Sequence, residues 1–514
     1  MSVSDNTPII IGVGEASERI DAPDYSAASP VELASRAARA ALLDAGSADL
    51  AAHVDLVAAI RQFEISTPGA VAPFGCADNL PRAVARRIGA NPTHAILEVT
   101  GGQGPQHLVN ELAHAIAGGK AKMALIFGSE AISTVRHLMA QGEKRDWSEQ
   151  IGGQMEDRGY GLEGLVTPDL IKHGLRIPIT IYALFENARR ARLKLDRASY
   201  AMEMGKLFAP FTRVAAANPH AMSPEALTAE ELVTVTPRNR LVADPFPRRV
   251  IARDQANQGA AVLLTSVGQA RALGVPEDRW IYLHGGADVK ERTVIERQDL
   301  SSSPASVAAI RTALEVAGIG IGDLAKFDLY SCFPIAVFNI CDAFGLKTDD
   351  PRGLTVTGGL PFFGGAGNNY SMHAIASMVR ALRSKPDTFG LVGANGGFLS
   401  KYSVGVYSTK PAEWKPFSSA SLQAEIDGWS APALKSEAAG VSAIVDSYTV
   451  DYGGAVPRGI IIGHDAAGGE RVVALSDDQE IVARMIAEEP LGAAVLIRTD
   501  EKGRNSIEQF IPAK

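Results

Sequence analysis

The chain has 514 residues, of which 46% are hydrophobic and 21% charged, a composition typical of a globular protein with two or three domains. Its net charge of −8 gives no support to a nucleic-acid partner, because an acidic protein repels phosphodiester backbones. The three cysteines form neither a disulfide framework nor a CxxC metal pattern, and neither a signal peptide nor a membrane-length apolar run is visible. We therefore expect a cytoplasmic protein that holds no metal and does not span a membrane.

The N-terminal part alternates between short apolar strands and amphipathic helices. An apolar run ending in glycines predicts a strand at 8–14. Ser29 followed by Pro30 then predicts the start of a helix, because serine caps a helix and proline suits its first turn. Further apolar runs predict buried strands at 54–60 and 122–128. This alternation predicts an α/β fold in which helices cover a mixed sheet.

The segment 134–249 departs from this pattern, with charged loops and several amphipathic helices. It is interpreted as an insertion over one face, a natural place for a lid and for substrate recognition. The strand and helix pattern resumes with an apolar run at 257–266.

Beyond residue 410 the chain changes to short strands with turns between them, predicted at 440–446, 458–463, 471–475 and 492–497. Strands at this spacing indicate a small β-barrel, most simply an OB-like fold. OB folds often bind nucleic acid, but this segment is rich in acidic residues and has no basic, aromatic-rich strand. A nucleic-acid role is therefore disfavoured.

Two glycine-rich turns open apolar helices at corresponding places in the chain. The first turn, at 100–103, precedes a helix predicted at 106–116, and the second, at 364–368, precedes one at 369–382. An internal repeat of this kind predicts pseudo-twofold packing, with a site where the two helix N-termini meet.

Four segments resemble motifs of the thiolase superfamily, and they occur in the same order. TGGQGPQ at 100–106 is similar to the turn that carries the nucleophilic cysteine, and DLYSCFP at 328–334 to the His-Asp-Cys-Phe turn of sterol-carrier-type thiolases. GGLPFFGGAG at 358–367 resembles the block ending in Gly-His-Pro, and GANGG at 393–397 the C-terminal Cys-x-Gly-Gly-Gly turn. With its additional C-terminal domain, the chain is similar to the thiolase-like proteins type 1, which are often labelled acetyl-CoA acetyltransferases.

The resemblance implies a thiolase fold, in which two pseudo-equivalent βαβαβαββ halves pack in α-β-α-β-α layers. The expected domains are an N-terminal half at 1–133 and 250–266, an inserted loop and helical domain at 134–249, a C-terminal half at 267–410, and an OB-like domain at 411–514.

Glycine stands at the three positions that the resemblance matches to thiolase chemistry. Gly101 takes the place of the nucleophile, Gly365 that of the activating histidine, and Gly393 that of the acid/base cysteine. Because glycine has no side chain to acylate, the standard ping-pong route is not expected. These residues are equally well explained as tight-turn glycines of a non-catalytic descendant.

Three side chains in or near the matched motifs are candidates for proton transfer. Tyr330 takes the place of a histidine, His373 lies one turn into the second helix, and Cys332 is the cysteine within a matched motif. A core tyrosine, a structural histidine and an inert buried thiol are the corresponding structural interpretations.

The backbone of the glycine turns is expected to supply an oxyanion hole, because thiolases build theirs there. Its predicted donors are the amides of Gly101 and Asn395, with Gly396 beside them. The remaining predicted pocket residues are Gly102, Gln103, Gly364, Gly365, Asn368 and Asn369.

The resemblance implies CoA or an acyl-CoA as a substrate or ligand, with no covalently bound cofactor. The expected function is carbon–carbon chemistry of a retro-aldol or Claisen type in lipid metabolism, without a cysteine. The alternative is a catalytically inactive protein that binds a CoA ester or serves as a scaffold. Superfamily aldolases that cleave steroid side chains work with an OB-fold partner, a part that the fused tail could play here. The expected state is a monomer or a homodimer.

Overall fold

The computed structural model describes residues 3–435 and 438–512, which contain a ten-stranded and a seven-stranded sheet. In chain order the strands are β1 (Pro8–Ser17), β2 (Leu56–Ala59), β3 (His94–Leu97), β4 (Met123–Ala131), β5 (Glu156–Asp157), β6 (Leu241–Ala243), β7 (Phe246–Pro247), β8 (Asn257–Ser266), β9 (Ile281–Lys290), β10 (Leu324–Leu329), β11 (Phe389–Gly396), β12 (Lys401–Ser408), β13 (Ser442–Asp451), β14 (Arg458–Asp465), β15 (Arg471–Ser476), β16 (Ala494–Thr499) and β17 (Asn505–Ile511). The α-helices are α1 (Pro30–Asp44), α2 (Leu80–Ile88), α3 (Gly104–Ala117), α4 (Ile132–Ala140), α5 (Pro168–Lys172), α6 (Pro178–Leu193), α7 (Arg197–Ala217), α8 (Ala229–Val233), α9 (Val267–Ala272), α10 (Pro304–Ala317), α11 (Pro334–Phe344), α12 (Tyr370–Ser384), α13 (Ala420–Asp427) and α14 (Gln479–Ala487). No helix in these described ranges is long and apolar enough to cross a membrane.

The larger sheet consists of two related halves. Its order is β10-β11-β12-β9-β1-β8-β4-β2-β3-β5, and the halves meet where Ile9 and Ile10 of β1 pair with β9. The first half runs β3-β2-β4-β8-β1. In the second half, β10, β11, β12 and β9 stand where β2, β4, β8 and β1 stand in the first, and no described strand takes the place of β3. The thiolase-type fold predicted from the motifs is confirmed.

Helices α3 and α12 form the middle layer, between the two halves of the sheet. Both contact β8 of the first half, and they contact β12 and β11 of the second half. The side-chain oxygen of Ser371 at the start of α12 donates to the Gly102 carbonyl ahead of α3, at 2.6 Å. The two helix N-termini therefore meet, as the internal repeat predicts.

The outer layers belong to α1 and α10. Helix α1 lies so close to β1 that a Cβ on Gly14 would fall 2.0 Å from the Ala37 carbonyl oxygen. The predicted cap at Ser29 is confirmed, because its hydroxyl accepts the Glu32 amide at 3.2 Å.

The C-terminal strands close into a five-stranded barrel. Their order is β14-β15-β17-β16-β13, β13 also pairs with β14, and α14 lies between β15 and β16. This is the strand order 1-2-3-5-4-1 of an OB-like barrel, so the predicted barrel is confirmed. Strand β6, from the insertion, extends the barrel sheet where Ala243 pairs with Asp451.

Strand β5 covers the edge of the larger sheet. Its two residues pair in parallel with Ile96 and Leu97 of β3, and Glu156 forms ion pairs with His94 at 2.9 Å and Arg158 at 2.8 Å. An uncovered edge strand is a template for pairing with a second chain, and a covered, charged one is not.

We expect the protein to be monomeric in solution, because β5 occupies the edge through which a second sheet would be added. Size-exclusion chromatography with light scattering should give the mass of one chain across a wide concentration range. Glu156→Pro, which cannot complete the β5 pairing, should instead show concentration-dependent self-association. A wild-type dimer would contradict this role of β5.

Candidate functional site

Gly101 lies in the turn that joins β3 to α3, and Asn368 of the second half holds it there. The Gly101 amide donates to Asn368 Oδ1 at 3.1 Å, and its φ of +147° lies in a region that favours glycine. The amide predicted as an oxyanion donor is thus already hydrogen-bonded in this conformation. The Asn368 carboxamide also donates to the Arg61 carbonyl and to Ser66 Oγ, at 2.9 and 2.8 Å.

The Gln103 side chain fills the space beside Gly101. A Cβ on Gly101 would lie 2.1 Å from Gln103 Oε1, and one on Gly396 would lie 2.0 Å from the same atom. Gln103 is buried, and no residue of the described chain donates to Oε1. The volume that a cysteine side chain would need is therefore occupied by a neutral carboxamide.

Tyr330 fills the equivalent space beside Gly102. A Cβ there would lie 2.1 Å from the Tyr330 hydroxyl oxygen and 2.7 Å from the Asn395 carbonyl oxygen. Burial raises the pKa of the Tyr330 phenol well above its usual range, so the hydroxyl stays protonated at neutral pH. It can donate a hydrogen bond but cannot act as a base there.

Gly393, the third matched glycine, faces another tyrosine. A Cβ on it would lie 2.2 Å from the hydroxyl oxygen of Tyr402, on the neighbouring strand β12. Four glycines on this side of the site therefore lie directly against a polar side chain, namely Gly101, Gly102, Gly393 and Gly396.

Cys332 and Asn395 lie together next to Tyr182, a residue that the sequence analysis did not identify. Asn395 Nδ2 donates to the Tyr182 hydroxyl at 2.7 Å and contacts Cys332 Sγ at 3.7 Å. The Tyr182 ring stacks on Phe333, with centroids 4.3 Å apart. Burial raises the pKa of the Cys332 thiol to about 12, so Cys332 holds no thiolate at neutral pH.

His373 lies away from this group, because two aromatic rings stand between them. Tyr330 contacts Tyr370, Tyr370 contacts Phe363, and Phe363 contacts His373, with centroid separations of 5.4, 6.0 and 5.1 Å. Of the predicted proton-transfer residues, the structure groups Tyr330 and Cys332 around Asn395 and leaves His373 outside that group.

The partner of His373 is a buried carboxylate on β1. His373 Nδ1 lies 2.6 Å from Glu15 Oε1, and Arg380 binds the other oxygen. Burial alone would raise the pKa of Glu15, but His373 and Arg380 together lower it to about 2. These contacts indicate that His373 links α12 to β1.

The second glycine loop is held by backbone and amide contacts. Gly365 donates its amide to the Arg253 carbonyl at 2.7 Å, and a Cβ on Gly364 would lie 2.6 Å from Gln258 Oε1. Asn369 stands at the start of α12 but does not cap it, since its Nδ2 donates to the Gly128 carbonyl at 2.7 Å. Asn369 therefore ties the two halves together.

One acidic group has the spacing of a metal site. Ligand atoms of Glu98, His107 and Glu111 lie within 4.8 Å of one another. Arg158 already bridges the two carboxylates, at 2.8 and 2.6 Å, and supplies the positive charge that a cation would bring. This donor set is better explained as an ion-pair network.

Two exposed arginines lie next to the second glycine loop. The Arg253 backbone contacts the Leu360 carbonyl at 3.1 Å and the Gly365 amide, and the preceding residue donates to the Cys332 carbonyl at 2.8 Å. Burial and the neighbouring Arg248 charge lower the pKa of Arg253, and neither arginine forms an ion pair with a described residue. Asp254 and Asp21 act on Arg253 only at longer range, so its positive charge has no direct ion-pair partner on this side of the site.

Comparison with known proteins gives a family match and a structural relative that covers nearly the whole chain. Residues 421–502 match the family described as thiolase-like protein type 1 additional C-terminal domain. A monomeric SCP2-thiolase-like protein type 1 from Mycobacterium smegmatis is 47% identical, with a TM-score of 0.85, over 98% of this chain and 99% of that one. No curated protein matches the sequence.

More distant structures share the fold alone. The dimeric peroxisomal thiolase of Saccharomyces cerevisiae is 16% identical, with a TM-score of 0.58, over 80% of this chain and 99% of that one. The Ltp2–ChsH2 (DUF35) aldolase is 19% identical, with a TM-score of 0.57, over 78% of this chain and 98% of that one.

Proposed function

Because the chain belongs to the SCP2-thiolase-like protein type 1 family, we propose that it binds a CoA thioester at the Gly101 turn and makes or breaks a carbon–carbon bond beside the thioester carbonyl. The reaction would be of a retro-aldol or Claisen type and would proceed without an acyl-cysteine. Such chemistry would belong to lipid metabolism.

The observation that carries this proposal is the set of neutral polar groups that faces the glycines. The side chains of Gln103 and Tyr330 lie where Cβ atoms on Gly101 and Gly102 would fall. A fold relic with no ligand would be expected to close this space with apolar packing, because a buried polar atom without a partner costs free energy. Gln103 Oε1 is a buried polar atom of this kind, since no described residue donates a hydrogen bond to it.

The proposed roles follow from the protonation states. Tyr330 stays protonated and would donate to the enolate or thioester oxygen as negative charge develops there. The unpaired Gln103 Oε1 would accept a hydrogen bond from a donor group of the substrate, and Asn395, fixed by Tyr182, would form the opposite wall. A role for His373 in proton transfer is not part of the proposal, since the histidine faces Glu15.

A second candidate function is binding of a CoA ester without turnover. It is favoured by the raised pKa values of Tyr330 and Cys332, because neither group can remove a proton at neutral pH. Turnover by the first function would need a base that comes from the substrate or from water.

Calorimetry and product analysis separate the two candidates. The ligands are CoA, acetyl-CoA, a 3-ketoacyl-CoA and a 3-hydroxyacyl-CoA, each followed by mass spectrometry of the reaction mixture. Binding with conversion supports the first function, and binding without conversion supports the second. The absence of binding to all four would contradict both.

We expect Arg253→Gln to weaken CoA binding about five- to tenfold, because Arg253 supplies unpaired positive charge where the CoA phosphates would enter. Binding of pantetheine, which lacks the nucleotide phosphates, should be unaffected. Added salt should reduce the difference between wild type and variant.

The matched control is Arg249→Gln, because the Arg249 side chain already donates to the Glu231 carbonyl at 2.9 Å. Equal losses in the two variants, or an equal loss for pantetheine, would rule out a specific phosphate contact at Arg253.

A further inference from the structure

Helix α6 connects the candidate site to the C-terminal barrel. Tyr182 and Glu186, four residues apart, lie on the face of α6 that contacts the site. Tyr182 accepts the hydrogen bond from Asn395, and Glu186 Oε2 accepts the Ile335 amide at 2.9 Å. Ile335 is in the first turn of α11, which directly follows the turn that carries Tyr330.

The contact at Glu186 is part of a buried network. Tyr200 Oη donates to Glu186 Oε1 at 2.6 Å, and both residues are fully buried. Burial raises the pKa of Glu186 to about 7. Both Glu186 oxygens accept hydrogen bonds within the protein, and the bond to the Ile335 amide fixes the first turn of α11.

The neighbouring face of α6 is bound to the barrel. Asn187 Nδ2 donates to the Tyr448 carbonyl on β13 at 2.9 Å. Arg190 donates to both oxygens of Glu489, at 2.7 and 2.9 Å, and to the Tyr448 hydroxyl at 3.2 Å. The Arg190 side chain is 1% exposed, so its charge depends on these partners.

We propose that the C-terminal barrel is a positioning module for the site: it holds α6 so that Tyr182 and Glu186 keep Asn395, Cys332 and the start of α11 in place. The consequence for catalysis rests on the function proposed above. The positional effect does not, because it can be measured in the protein without a ligand.

The energetic argument lies in the pairing of Arg190. Without the Glu489 carboxylate, the guanidinium keeps only neutral partners, namely Asn187 Oδ1 at 2.9 Å, the Tyr448 hydroxyl and the Leu195 carbonyl. Asp244, beyond the Tyr448 hydroxyl, then acts on Arg190 only at longer range. A buried cation without a direct counter-charge favours any displacement that brings it water. Since Arg190 is two turns from Tyr182 on one continuous helix, such a displacement moves Tyr182 as well.

The test uses two neighbouring glutamates of the full-length chain. Glu489→Gln removes the counter-charge of buried Arg190, whereas Glu488→Gln removes that of Arg484, whose side chain is 42% exposed and lies 3.0 Å from Glu488. We expect amide exchange at 330–335 and 395–400 to accelerate about tenfold in the first variant and not in the second. Tyr448→Phe should act in the same direction as Glu489→Gln.

Three outcomes decide the proposal. Faster exchange confined to the barrel and α6, with unchanged exchange at 330–335 and 395–400, would overturn it. Equal effects of both glutamine variants would also overturn it, because they would indicate general loosening of the barrel. If the exchange result holds but wild type binds none of the CoA esters, the proposed function fails while the positioning role stands.

Discussion

Tyr330→Phe is expected to lower kcat for an identified CoA ester by about 100- to 1000-fold, the usual effect of removing one hydrogen-bond donor from an oxyanion. The Tyr330 hydroxyl lies against Gly102, among the glycines of the site, and burial keeps it protonated. Its loss should leave the melting temperature within about 2 °C of wild type, because burial and the nearby Cys332, rather than a hydrogen bond, determine the state of this phenol. Steady-state kinetics and thermal unfolding measure the two effects separately.

Tyr407→Phe is the matched control, since its buried hydroxyl donates to Gln106 Oε1 at 2.8 Å, away from the glycines. That variant should lose about 1 kcal/mol of stability and keep its turnover. A Tyr330→Phe variant with wild-type kcat would remove the tyrosine from the mechanism. The pH–rate profile should show no limb from Tyr330 up to about pH 10, because burial raises the pKa of its phenol.

The sequence was sufficient to predict the layers of the fold, because those depend on local patterns. The apolar periodicity around α3 and α12 and the serine and proline at the start of α1 specify these helices without tertiary contacts. Strands β9 and β12 were missed, since both are interrupted by glycine and polar residues that become buried only through tertiary contacts, among them the pairing of the two strands. Strand β17 was missed because Glu508 and Gln509 stand next to each other on exposed positions and interrupt the alternation between Ile507 and Phe510.

The candidate site was only partly predictable, because its residues come from distant parts of the chain. The glycine turns and Tyr330 were found through motif position. Tyr182 could not be found, since it lies in an insertion with no motif and reaches Asn395 only when α6 packs on the barrel. The pairing of His373 with Glu15 could not be predicted, because periodicity puts the histidine on the buried face of α12 but does not say that Glu15 occupies that side.

Gly101→Cys is expected to destabilise the protein by about 2–5 kcal/mol and not to create a thiolase nucleophile. The φ of +147° at this position strains any L side chain, and the new Cβ would lie 2.1 Å from Gln103 Oε1. Denaturant unfolding measures the loss, and mass spectrometry after incubation with acetyl-CoA detects an acyl-cysteine.

Two further variants separate backbone strain from crowding at Gly101. Gly46→Cys introduces the same side chain at a φ of +121° with its nearest contact, Pro276, at 3.7 Å, so it should lose only about 1–3 kcal/mol. Gly101→Cys combined with Gln103→Ala removes the crowding and should recover part of the loss, but not the part due to φ. If Gly101→Cys alone were as stable as wild type and accumulated an acyl-enzyme, the site would still have the shape of a cysteine thiolase. The carboxamide of Gln103 would then be a passive filler, and the proposed hydrogen-bonding chemistry would lose its main support.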